Sequence, residues 1–259
     1  MSDEETLQGD SLKLEGKNAV LEAFRSGQTI NRLFVQEHAQ AKGSDPDRHI
    51  AQILREAKKN GVVVNFVKKE RLDAMSDTGR HQGVIAYAAA GDYADVDDIL
   101  AAAEAKGEPP FVIVLDDIED PHNLGAIIRT AECAGAHGVI IPKRRASGLT
   151  GVVSKASAGA ISLVPVARVT NLTRTIEDLK KKGLWFVCAD MDGTPMYDLN
   201  LTGPIGLVIG NEGKGVSRLV KEQCDYVASI PMKGKIGSLN ASVAAGVLAY
   251  EIVRQRGLT

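Results

Sequence analysis

Three stretches of the chain carry polar residues at spacings that could do chemistry. In "LDDIEDPHNLGAIIRTAECAGAHGVII" (115–141), Pro121 and Asn123 mark a turn, Gly125 opens a helix, and Arg129 lies on it six residues past Asn123. The turn falls where ligands of buried parallel sheets collect, at the carboxyl ends of strands, so its polar residues are candidates for a binding site. The same residues also have a plainer reading. Asn is a common helix N-cap, and Arg129 could be a surface residue, although apolar Ala126, Ile127, Ile128 and Ala131 surround it. In "GLVIGNEGKGVS" (206–217), glycines at 210, 213 and 215 follow a strand, as in a loop whose backbone comes close to a ligand. Gly215 stands where a P-loop needs Ser or Thr after the lysine, and the spacing is not that of a dinucleotide fingerprint. Glu212 within it is either a solvated loop charge or a group facing the ligand. The third stretch, "IPMKGKIGSLNASVAAGVLAYEIV" (230–253), repeats the order strand, glycine-rich loop, polar turn and helix. Ser238, Asn240 and Ser242 crowd the entrance of a helix that is apolar or small at nearly every later position, which predicts burial on all sides.

These stretches need a scaffold, and hydrophobic patterning supplies one. Runs at 111–116, 138–142, 163–167, 184–189, 205–210 and 226–231 are continuously apolar and are separated by helical stretches. Continuous rather than alternating hydrophobicity predicts strands buried on both faces, hence a mostly parallel sheet covered by helices. Ahead of it, strands near 32–36, 62–67 and 83–88 and helices near 17–26, 46–60 and 69–75 predict a small α/β unit. The acidic, alanine-rich stretch 91–110, closing on Gly107 and a Pro pair, is read as a linker around a short helix. The domains expected are therefore an acidic tail (1–10), a first domain (11–90), the linker, and a second domain (111–259).

Composition narrows the class. No apolar run reaches the roughly 18 residues of a membrane span, and the acidic start lacks the features of a signal peptide, so a cytoplasmic location is expected. Three separated cysteines argue against a disulfide framework and a zinc site. The formal net charge of −2 conceals an uneven distribution: the tail and 91–110 hold 10 of the 33 acids and one of the 31 bases. Both domain bodies are mildly positive, which permits a phosphate-rich partner.

Taken together, the three stretches resemble the motifs of the SpoU (TrmH-type) branch of the SPOUT methyltransferases. Asn123, Gly125 and Arg129 match the first, Gly210, Glu212 and Gly213 the second, and Pro231, Ser238, Leu239 and Asn240 the third. "LEGKNAVLEAF" (14–24) and "RHQGVIA" (80–86) resemble the ribosomal-protein-like RNA-binding domain that precedes the catalytic domain in the RlmB group. The likeness covers some 240 residues and is nearest to the 23S rRNA guanosine 2′-O-methyltransferases. It implies a parallel sheet with a C-terminal trefoil knot and a homodimer, with the last helix in the interface. It implies S-adenosylmethionine held by Gly210, Ile230 and Leu239, and no metal. Arg129 would clamp the phosphate of the reacting nucleotide and stabilise developing oxyanion charge. It would act as a base only if its pKa were depressed, since guanidinium groups keep their protons. Asn123 would orient Arg129 or the ribose, with Glu212, Ser238 and Asn240 completing the polar shell. His122 could serve as a base, contact RNA or shape the turn. For RNA, Lys143, Arg144 and Arg145, with Arg80 and His81, are the contacts expected, and Lys214, Lys233 and Lys235 flank the cofactor loops. A tRNA substrate, an rRNA adenosine as in thiostrepton resistance, and an RNA-binding protein without activity are the alternatives.

Overall fold

The computed structural model describes residues 12–37 and 47–257. The acidic tail, and residue 46 of the expected helix 46–60, lie outside the described residues. The chain forms two units by its contacts: residues up to Asp92 with Gly148–Gly151, and Tyr93–Ser147 with Val152 onward.

In the first unit, β1 (Leu12–Glu15), β2 (Ile30–Gln36), β3 (Val63–Val67) and β4 (Val84–Ala88) form one sheet in the order β1-β4-β2-β3. β4 is buried along its whole length, as its unbroken VIAYA run requires of an inner strand. Three helices accompany the sheet: α1 (Lys17–Arg25), α2 (Arg48–Lys59) and α3 (Lys69–Met75). α2 starts where the Asp47 carboxylate accepts the backbone N–H groups of His49 and Ile50, and it turns Ile50, Ile53 and Ala57 into the core.

The second unit holds a six-stranded sheet, parallel throughout. Its strands are β5 (Phe111–Leu115), β6 (Gly138–Pro142), β7 (Val166–Val169), β8 (Trp185–Pro195), β9 (Ile205–Ile209) and β10 (Tyr226–Ser229). Their order is β10-β8-β9-β5-β6-β7. β5 therefore lies between its successor β6 and the late strand β9, a switch point of the kind at which α/β sheets open a crevice. The helices are α4 (Val96–Lys106), α5 (Pro121–Cys133), α6 (Gly151–Ala156), α7 (Leu172–Lys181), α8 (Arg218–Lys221) and α9 (Ala241–Arg256). Among the described residues no helix is long and apolar enough to cross a membrane.

Three departures from the sequence reading have physical causes. The stretch read as a linker belongs to the second unit from Tyr93 onward, because α4 buries Ile99 and Ala103 completely and Ile99 occupies the space a Cβ on Gly138 would need. β7 begins at Val166, not at 163. Pro165 has no N–H to give the ladder, the Val164 N–H turns back to the Ala160 carbonyl, and Leu163 is left 71% exposed. The last helix is not covered on every side: Val243 and Tyr250 are each 50% exposed in the single chain, while Ala245, Leu248, Ala249 and Ile252 on the other face are buried.

Candidate active site

Asp120, rather than Asn123, caps α5. Its carboxylate accepts the His122 N–H at 2.8 Å, and Pro121 takes the first helical position. The Asn123 carboxamide, only 9% exposed, is thereby released for longer-range contacts. Gly125 lies within the helix, not at its opening. A Cβ there would stand 2.4 Å from the Ala156 Cβ and 2.9 Å from the Val153 carbonyl, so the missing side chain lets α6 lie against α5.

The convergence point is Glu212. Its Oε1 accepts the Asn123 Nδ2 at 2.9 Å, the Asn240 Nδ2, and the Ala241 backbone N–H at 3.3 Å. Asn240 Nδ2 also donates to Asn123 Oδ1 at 3.0 Å. The other end of Asn240 caps α9: its Oδ1 accepts the N–H groups of Ser242 at 3.0 Å and Val243 at 3.3 Å, and the Ser242 hydroxyl at 2.6 Å. One residue from each of three distant stretches thus meets at a single carboxylate oxygen.

The loop bearing Glu212 is folded on itself. Asn211 and Gly215 exchange backbone hydrogen bonds at 3.1 and 2.8 Å. The Asn211 Oδ1 accepts the N–H groups of Gly213 and Lys214, while its Nδ2 donates to the Asp117 carbonyl at 3.1 Å. The buried Asp116 accepts the Ser217 N–H at 2.7 Å and holds the loop's far end. Gly210 is required by this folding: a Cβ would lie 2.3 Å from the Gly215 carbonyl carbon and the Val216 nitrogen. The clash is with the loop's own backbone.

Beside the loop, at the carboxyl ends of β9 and β10 and against the middle of β8, a cavity of about 320 Å³ opens. Its walls include the apolar Ile209, Ala228, Ile230, Leu239 and Ala244, with Gly210, Ser238 and the charged side chains of Asp190, Glu212 and Lys214. Gly210, Ile230, Leu239, Glu212 and Ser238 of the sequence reading therefore share one cavity, whereas Asn123 and Asn240 reach it through Glu212. Arg129 is exposed on α5, outside the cavity lining, and has no hydrogen-bond or ion-pair partner among the described residues. His122 is exposed at the start of the same helix.

Three residues escaped the sequence reading. Asn211 could have been found as a turn residue ahead of a glycine, and Asp190 as a charge ending an apolar run. Nothing local marks Asp116. Asp190 Oδ2 receives the Lys221 ammonium at 2.6 Å and its Oδ1 accepts the Asp192 N–H at 3.1 Å. The Lys221 hydrogen bond holds the carboxyl below its usual range against the upward push of partial burial.

Of the basic candidates, Arg144 and Arg145 are exposed, with Arg145 3.4 Å from Asp117, and Lys143 is partly buried. Arg80 is exposed on a loop that Glu15 organises. That carboxylate accepts the Ser76 and Thr78 hydroxyls and the backbone N–H groups of Asp77 and Thr78. Burial raises its pKa, but these bonds outweigh it and bring the value down to about 2. His81 corrects the expectation. It is 5% exposed, its Nδ1 accepts the Gly83 N–H at 3.0 Å, and its Nε2 lies 2.8 Å from Asp73. Both ring nitrogens are spent on the fold.

Comparison with known proteins agrees with this layout. Residues 110–250 match the SpoU rRNA Methylase family, and residues 13–94 match a domain described as RNA 2′-O ribose methyltransferase substrate binding. A Bacillus subtilis protein named as a TrmH family tRNA/rRNA methyltransferase is 51% identical over 243 residues, 93% of this chain and 94% of its own. A Staphylococcus saprophyticus protein of the same description is 47% identical over 248 residues, 95% of this chain and 97% of its own. Among solved structures, the SpoU methyltransferase AviRb from Streptomyces viridochromogenes in complex with AdoMet is similar at a TM-score of 0.59. It is 26% identical, with 98% of this chain and 97% of that one covered. The chain belongs to the SpoU rRNA methylase family and is an RNA methyltransferase, with a substrate-binding domain ahead of its catalytic one.

Proposed function

We propose that this protein transfers the methyl group of S-adenosylmethionine to the ribose 2′-hydroxyl of a guanosine in 23S rRNA, working as a homodimer. The observation that carries the reading is the shared carboxylate: Glu212 lines the cavity and is bonded to both Asn123 and Asn240. The cavity fits the cofactor. Apolar walls suit an adenine, the glycine loop leaves backbone groups accessible, and the Glu212 carboxylate, whose bonded donors are all uncharged, is acidic toward a cationic molecule. Gly210, Ile230 and Leu239 are its contacts. Bound there, the cofactor supplies a methyl group activated by the positive charge on its sulfur.

The chain's own task is positioning. A ribose hydroxyl is a weak nucleophile that must lose its proton as the new O–C bond forms, so holding it in line contributes most of the acceleration. Ser238 faces the ribose at the cavity's polar mouth, and Asn240, bonded to Asn123 and Glu212, completes the polar shell behind it. Arg129, exposed and unpaired among the described residues, keeps its guanidinium donors for a phosphate of the reacting nucleotide and for the charge developing on oxygen. Arg129→Ala should abolish methyl transfer to an rRNA transcript while calorimetry finds cofactor affinity within about twofold of wild type, since the residue does not line the cavity. Near-normal turnover of that variant removes the role.

The assignment to rRNA is supported by the family description of residues 110–250. Mapping 2′-O-methyl groups in cells with and without this protein decides it. A lost guanosine methyl in 23S rRNA is expected, and a lost tRNA methyl or adenosine methyl would move the substrate. Dimerisation is supported by Val243, Val247 and Tyr250, which lie on one stripe of α9 at helical spacing and are not fully covered in the single chain. The knot is supported by the chain's route, which leaves the sheet's edge at β10 and returns to pack α9 on α5 and β9.

A further inference from the structure

The cavity wall holds a second carboxylate that none of the three motifs includes. Asp190 follows the apolar part of β8, on one side of β9, whereas Glu212 reaches across to Asn123 of α5, which follows β5 on the other side. The two acids therefore flank the end of β9. Glu212 is committed to three donors from the chain itself. Asp190 has one bond to the Lys221 ammonium and one to the Asp192 N–H, the Met191 N–H also favours its ionised form, and an ionised carboxylate has about four acceptor sites. Acceptor capacity thus remains on a side chain fixed in place from behind.

We propose that Asp190 accepts the ribose hydroxyls of the adenosine part of the cofactor, with Lys221 holding its carboxylate in position; this rests on the reading of the cavity as the cofactor site. Carboxylates beside the ligand crevice recognise ribose hydroxyls elsewhere in α/β folds, and the two oxygens of Asp190 can accept from two vicinal O–H donors. The competing ligand group is the α-ammonium of the methionine part. The ion pair argues against it. With Lys221 at 2.6 Å, much of the Asp190 charge is already compensated, so a second ammonium gains little there, while a hydroxyl needs only a lone pair.

The test is calorimetry on the full chain with three probes: S-adenosylhomocysteine, 5′-methylthioadenosine (the same ribose without the amino-acid part), and the 2′-deoxy form of the latter. Wild type should bind the first two and discriminate against the third. Asp190→Ala should weaken both ribose-bearing probes by the same factor, on the order of tenfold or more for a lost charge-assisted bond, and should erase the discrimination. Asp190→Asn, which preserves the side chain's shape, covers the case in which the alanine variant melts early. Loss confined to S-adenosylhomocysteine would assign Asp190 to the ammonium and overturn the proposal. So would unchanged binding of all three probes by a folded variant. A wild-type protein that binds none of them overturns the cofactor-site reading itself.

Discussion

Gly210→Ala isolates the backbone geometry of the site. The added methyl would stand 2.3 Å from the Gly215 carbonyl carbon and the Val216 nitrogen and 2.4 Å from the Gly215 oxygen. Carbon contacts settle near 3.5–4.0 Å, so the loop must retreat by about 1 Å. Backbone cannot rotate away as a flexible side chain can. The movement acts on the Asn211–Gly215 pair, on the Asn211 bonds to Gly213 and Lys214, and on the Asp116 bond to Ser217. Overpacking of this kind costs about 1–3 kcal/mol, a fall in melting midpoint of roughly 2–12 °C for a chain of this size. Glu212 rides on the same loop, and a misplacement near 1 Å can cost about 100-fold in rate. Three measurements follow on one preparation: the thermal midpoint, the calorimetric Kd for S-adenosylhomocysteine, and single-turnover methyl transfer. Gly203→Ala, on the turn before β9, is the control, because a Cβ there meets nothing within 4 Å and the residue lies outside the cavity lining, so it should leave all three readings near wild type. A Gly210→Ala protein with wild-type midpoint, affinity and rate would mean that the loop has slack and that the close backbone approach constrains nothing.

Glu212→Ala removes the acceptor shared by Asn123, Asn240 and the Ala241 N–H. Because this side chain is open to water, stability should fall by only about 1–2 kcal/mol while kcat falls more than about tenfold; an unchanged kcat would deny the cluster its role. His137 predicts a pH effect away from the site. It is buried, its Nδ1 accepts the Phe111 N–H at 3.0 Å and its Nε2 lies 3.1 Å from Glu108. Burial first, then Lys106, lowers its pKa, and Glu108 only partly offsets them. The unfolded chain therefore takes up the proton first, so stability is complete above about pH 6.5 and declines as the pH falls from there toward the folded-state value. Urea midpoints at pH 7.5 and 5.5 should differ in wild type and converge in His137→Asn, and equal slopes in both proteins would count against it.

Much of this architecture can be read from apolar runs, because strands buried on both faces leave no polar alternation to confuse with a helix. Phe111–Leu115, Gly138–Pro142 and Ile205–Ile209 lie where their hydrophobicity puts them. The pattern fails where a single atom decides. Leu163 and Val164 continue an apolar run into Pro165, yet the missing proline N–H excludes them from β7. It fails again at α4, where alanine and acid composition imitates a linker while Ile99 and Ala103 reach the core. The likeness of "RHQGVIA" (80–86) to an RNA-binding domain makes His81 an expected RNA contact. Its burial is fixed by Asp73 and Gly83, partners whose approach only the folded chain reveals.

Residue types near 123, 212 and 240 were readable, but their roles depend on orientation, which a carboxylate imposes. Glu212 offers only acceptors, so Asn123 and Asn240 must both turn their Nδ2 toward it. That choice directs the Asn240 Oδ1 onto the first N–H groups of α9 and the Asn123 Oδ1 onto Asn240. The cap of the last helix and the polar wall of the cavity are consequently one hydrogen-bonded unit. An acid in the second stretch decides which way an amide faces in the third, 28 residues away, and another in the first, 89 residues away. This is why Asn123 needed Asp120 as a separate cap. Had Asn123 capped α5 itself, its carboxamide would have been spent on its own helix, and the three stretches would share no common atom.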